Sequence, residues 1–63
     1  MELLQRITFD PEILNGKPII RGMRISVEMI IELLAKGAST QEIIEDYPQL
    51  EKEDVSAALL YVN

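Results

Sequence analysis

Residues 26–48 read SVEMIIELLAKGASTQEIIEDYP, and the punctuation of this stretch decides the fold. Ser26 is a residue type whose side-chain oxygen satisfies a free N–H in the first turn of a helix. After it, Val27, Ile30, Ile31 and Leu34 fall at i, i+3, i+4 and i+7, one face of a helix. Met29 and Leu33 add a second apolar stripe, and Glu32 and Lys36 make an i,i+4 pair on the polar side. Gly37 stands where a C-terminal glycine belongs, so the spacing predicts a first helix over 27–36. Ser39 and Glu42 then form a capping box. Ile43, Ile44 and Tyr47 give a short second helix its buried side, and Pro48 ends it by disfavouring helical backbone at Tyr47.

Downstream, Leu50 and Val55 have the spacing of a hydrophobic staple around Glu51, a mediocre N-cap. Val55, Ala58, Leu59 and Val62 repeat at helical spacing and predict a third helix from about 52 to the end. Helices two and three are separated by a turn of about four residues, which resembles a helix-turn-helix arrangement.

Upstream, Ile7-Thr8-Phe9 alternates apolar and polar residues and reads as a short strand, followed by a turn at Asp10-Pro11. Asn15-Gly16 is a turn signal. Pro18 to Ile20 reads as a second strand and Met23 to Ile25 as a third. With Gly22-Met23 as a two-residue loop, glycine first, Ile20 faces Ile25 and Arg21 faces Arg24. Like charges across a ribbon repel, so two facing arginines need an anion between them. That anion is either a ligand carboxylate or phosphate, which guanidinium groups hold bidentately, or one of the chain's own acids: Asp10, Glu12 or the C-terminal carboxylates.

The expected fold is therefore α+β and mainly α, a single domain over 1–63, with a β-ribbon (1–25) before a three-helix, helix-turn-helix unit (26–63). A chain of 63 residues buries only about 60% of its unfolded surface, so reinforcement is expected. The sequence has no cysteine and no histidine, which removes disulfides and the usual zinc ligands and leaves association, here a homodimer, as the expected reinforcement. Six of the eight residues 27–34 are apolar, more than a one-sided helix needs. Met29 and Leu33 are the surplus. They either lie under the ribbon of the same chain or meet a second copy or another protein.

The formal net charge is −5, which argues against non-specific binding to nucleic acid. The charge is uneven: residues 1–27 hold four basic and three acidic side chains, and residues 28–63 hold two basic and eight acidic ones. As a recognition helix, the third helix would offer Lys52, Glu53, Asp54, Ser56 and Ala57, whose two acids repel phosphate. The basic ribbon residues Lys17, Arg21 and Arg24, joined by Lys52, are the better candidates for a partner or DNA contact. No nucleophile–base pair or calcium-type loop is present, so catalysis, metals and cofactors are not expected. The longest apolar-rich run, Val27 to Ala35, is interrupted by Glu28 and Glu32 and is too short to cross a membrane, and the first ten residues lack a secretory pattern. A cytoplasmic location is expected.

The ordered set Asp10-Pro11-Glu12-Ile13, Gly16-Lys17-Pro18, Ile20-Arg21-Gly22 and Arg24-Ile25 resembles the domain-of-unknown-function family numbered 433. So do Lys36-Gly37, Ser39 with Glu42-Ile43, Tyr47-Pro48 with Leu50, and Glu53-Asp54-Val55. One departure is Glu51, where members of the family usually carry a small hydroxyl residue. The family is similar to VapB-type antitoxins. The resemblance implies a homeodomain-like three-helix fold and a role beside a small PIN-like ribonuclease toxin, with operator DNA as a further partner. On that implication, Arg21 and Arg24 would enter the carboxylate-lined site of the nuclease. Relatives that continue past the position of Asn63 would carry a toxin-binding tail that this chain lacks. The alternatives are a DNA-binding regulator without a toxin and a structural homodimer.

Overall fold

The computed structural model describes residues 2–63. Two strands, β1 (Ile7–Thr8) and β2 (Ile19–Ile20), precede three helices, α1 (Val27–Ala35), α2 (Thr40–Asp46) and α3 (Lys52–Val62). Short 3-10 turns occupy Leu3–Arg6 and Leu14–Gly16. The fold is a small, mostly helical α+β arrangement. The strands pair antiparallel, with Ile7 opposite Ile20 and Thr8 opposite Ile19.

Local chemistry sets the helix boundaries where the sequence places them. The Ser26 hydroxyl accepts from the Met29 N–H at 2.9 Å and opens α1. Lys36 closes α1, and Gly37, at φ +98°, takes the left-handed conformation that favours glycine. The Ser39 hydroxyl accepts from the Glu42 N–H at 3.1 Å, and the Glu42 carboxylate accepts from the Ser39 N–H at 2.8 Å. Tyr47, just before Pro48, terminates α2.

The third strand does not form. Arg21 and Gly22, at φ 44° and 73°, make the tight turn themselves, one residue earlier than the Gly22-Met23 loop expected. Positive φ at both central residues is the type I′ requirement. The Met23 N–H closes the turn on the Ile20 carbonyl at 2.8 Å. The returning chain keeps one bridge, between Ile19 and Ser26, flanked by Ile20 N–H to the Ile25 carbonyl and Val27 N–H to the Pro18 carbonyl, each 3.0 Å. Ser26 is already the cap of α1, so no length remains for a strand. Ile20 and Ile25 nonetheless face one another as expected, and both are buried.

One core joins ribbon and helices: Ile7, Ile20 and Ile25 pack with Val27, Ile30, Ile43, Leu50, Val55, Ala57 and Ala58. Met29 and Leu33 are half-buried and lie against this core, so most of the surplus apolar stripe on α1 is used within the chain. Helix α3 differs from expectation. It buries Asp54, Val55, Ala57 and Ala58, whereas Leu59 and Val62 are 49% and 53% exposed. The two alanines let the first turns of α3 lie close against the rest of the chain, and the last turn runs past the core.

Candidate functional site

The most polar feature of the interior is a carboxylate. Asp54 opens α3 and has no exposed surface. One of its oxygens accepts from Arg6 Nη1 at 2.9 Å and from Arg21 Nε at 3.0 Å. The other accepts from Arg21 Nη2 at 2.8 Å and from the Glu51 N–H at 2.8 Å. Arg6 Nη1 also bonds Glu51 at 2.8 Å, and Arg21 Nη2 reaches the Gln49 carbonyl at 2.9 Å. Burial alone would push the Asp54 carboxyl up. Donation from Arg21, from the Glu51 N–H and from Arg6 outweighs that and holds it below its usual value. Hydrogen bonding to Glu51 and Asp54 raises the Arg6 guanidinium, and hydrogen bonding to Asp54 raises that of Arg21.

The strand register explains why two arginines meet here. Arg21 N–H donates to the Arg6 carbonyl at 2.8 Å, which continues the β1–β2 ladder by one step. Arg6 and Arg21 are therefore neighbours across the ribbon. The facing pair is Arg6 with Arg21, not Arg21 with Arg24, and the anion between them is the chain's own Asp54. Arg21 is consequently engaged and does not stand ready for a partner. Thr8 holds the turn from the other side, its hydroxyl accepting from the Gly22 N–H at 2.9 Å.

The remaining candidate cations are dispersed. Arg24 is exposed and makes no ion pair among the described residues. Lys17 pairs with Glu28 at 3.1 Å on an exposed surface. Lys52 is exposed at the start of α3, beside the exposed Ser56, while Asp54 and Ala57 turn inward. The sequence-derived quartet Lys17, Arg21, Arg24 and Lys52 is thus one buried-pair partner, one surface ion pair and two open charges. Nothing in the sequence gives Arg6 a role, and Asp54 stands out there only as an acid at the start of the third helix. The available signal was Asp54 directly before Val55, on the face that also carries Ala58.

Among the described residues, no group of acidic side chains is arranged to hold a metal, and no helix is long and apolar enough to cross a membrane. Asp54, fully buried and saturated with donors, cannot exchange a proton with a solvent-borne substrate. The exposed apolar residues concentrate instead at the end of α3: Leu59, Leu60, Tyr61 and Val62 are 49%, 47%, 41% and 53% exposed. Phe9, 59% exposed, lies beside them, its ring 6.3 Å from that of Tyr61 at 55°. A shallow, open groove of about 610 Å³ runs between α1 and Val62.

This ribbon-and-helix geometry has known relatives. The family model for a protein of unknown function, DUF433, matches residues 7–62, and the chain belongs to that family. An uncharacterized protein, y4eO, of Sinorhizobium fredii is 34% identical over 55 residues, covering 87% of this chain and 25% of its own length. The crystal structure of a DUF433 member from Anabaena variabilis superposes with a TM-score of 0.84 at 36% identity, over 89% of this chain and 55% of that one. The chain thus spans about a quarter of the curated relative and about half of the crystallised one.

Proposed function

We propose that the protein is a non-enzymatic module that binds another protein in the cytoplasm, acting as the antitoxin-like partner of a PIN-like ribonuclease. The observation that carries the binding role is the uninterrupted run of four exposed apolar residues at the end of α3, extended by Phe9. Exposed apolar surface on a small domain marks an interaction surface where it is contiguous, as it is between Phe9 and Tyr61, whose rings lie 6.3 Å apart. The partner class rests on the family resemblance. Arg24, open to solvent, is the arginine available to enter a carboxylate-lined nuclease site, since Arg21 is held by Asp54. Co-purification from the native host tests the proposal. A stoichiometric small nuclease supports it, and repeated recovery of the chain alone refutes it. The uncharged end of α3 would equally suit a second copy. Light scattering that shows a monomer at micromolar concentration removes the homodimer.

A second reading is a homeodomain-like helix-turn-helix regulator that binds DNA. The exposed Lys17, Arg24 and Lys52 favour it. The inward-turned Asp54 and Ala57 leave α3 few groove-facing residues. Anisotropy against the upstream DNA of its own gene should then show a steep salt slope that falls in Arg24→Ala and Lys52→Ala. No binding at low salt removes this reading.

A further inference from the structure

We infer that the groove between α1 and the last turn of α3 seats a basic amphipathic helix of a partner protein, an inference that rests on the protein-binding reading above. Met29, Ile31, Ala35 and Val62 supply its apolar lining. Glu28 and Glu32, also lining it, are both exposed and stand one helical turn apart on the same side of α1. This is the form of a helix-in-groove site, where an apolar stripe enters and flanking charges fix orientation.

The charges select the occupant. Among the described residues, no basic side chain lines the groove. Glu32 makes no ion pair among the described residues. Lys36, its expected partner, is the C-cap of α1 and has left helical geometry. Among the described residues Glu28 pairs with Lys17 alone, through side chains 74% and 58% exposed, and such pairs contribute little and exchange readily. Two cations spaced four residues apart on an incoming helix would meet both carboxylates. A second copy of this chain cannot provide them. Helices α1 and α2 contain no lysine or arginine, and α3 contains only Lys52. A nucleic acid would bring phosphates to the same two carboxylates.

The test uses the full chain and a model peptide of leucine and lysine, about 18 residues long so that it can be helical, with leucines at i, i+3, i+4 and i+7. Its leucine–glutamate counterpart is the control. Binding of the lysine peptide is expected to shift the methyl resonances of Met29, Ile31 and Val62. It should weaken about tenfold in Glu28→Gln/Glu32→Gln. Glu45→Gln/Asp46→Asn, which removes the same charge from α2, should leave affinity unchanged. The inference is overturned by an absence of binding, by equal binding of the glutamate peptide, by equal losses in the two double variants, or by shifts confined to Leu59–Tyr61. It is also overturned if dilution alone shifts Met29 while light scattering reports a dimer, since a second copy then fills the groove. A groove that takes no peptide leaves the co-purification result standing, so the two readings fail separately.

Discussion

At the scale of single residues, Asp54 is the position on which most depends. It is fully buried, and its two arginine partners come from the far end of the sequence. Removing it leaves two guanidinium groups without their shared anion and frees the Glu51 N–H. Asp54→Ala should therefore lose about 3 kcal/mol in urea denaturation, at the low end for breaking a buried pair because the arginines reach solvent. Arg24→Ala, which breaks no ion pair among the described residues, should stay within about 0.5 kcal/mol of the parent in the same assay. The pH dependence has a definite sign. The folded Asp54 carboxyl lies below its unfolded value, so its contribution is complete above the unfolded value. It is lost as pH falls through about 4 and below, where the unfolded chain binds the proton more readily. Thermal melts from neutral pH to acid should show stability falling over that window, and Asp54→Asn should flatten the fall.

The same residue shows what a sequence conceals. Asp54 belongs to an acidic run, and a run of acids reads as a solvated face. Only the meeting of α3 with the ribbon makes it an interior ligand, through contacts spanning 33 and 48 positions. The underlying conflict, that facing arginines require an anion, is legible in the sequence, with the chain's own acids among the candidate anions. That Arg6 is the facing arginine follows from the register of β1 against β2, which two-residue strands leave almost no pattern to reveal.

At the scale of elements, the helices were legible because their limits are local. Ser26, Gly37, Ser39 and Pro48 each act within one turn of the chain. Their caps should behave as ordinary caps: Ser39→Ala should cost about 1 kcal/mol in denaturant unfolding. The ribbon was less legible because a strand of two residues carries almost no periodicity. Its turn is also a strained part of the fold, as is Leu14-Asn15, where φ is 51° and 59°. Gly22 sits at φ +73° with open space around it, so Gly22→Ala meets no clash and should lose about 1–2 kcal/mol through backbone strain alone. The length of α3 is legible in the sequence but the extent of its buried face is not, since periodicity cannot tell where a helix leaves the core behind.

At the scale of the whole molecule, the apolar end of α3 separates stability from binding. Leu60 and Tyr61 are 47% and 41% exposed, so Leu60→Ser/Tyr61→Ser should move the midpoint of thermal unfolding by only a few degrees. On the proposed function the same change should abolish capture of the partner in a pull-down from the native host. A large fall in the midpoint instead would mean that these side chains stabilise the isolated fold. Of the candidate site as a whole, the basic ribbon was visible in the sequence. The groove was not, because it depends on where the last turn of α3 crosses α1.

The link from Arg6 and Arg21 to Asp54 also sets an order of events in time. Its bonds join residues 33 to 48 positions apart, so a long loop must close before they form, at an entropic cost that local helix caps do not incur. The ion triad should then assemble after the rate-limiting barrier to folding. In a chevron experiment, Asp54→Ala should leave the refolding arm almost unchanged and accelerate unfolding. The triad would thus act as a latch that governs how long the native state persists, with little say in how fast it is reached. A substantially slower refolding arm would place the triad in the folding nucleus instead.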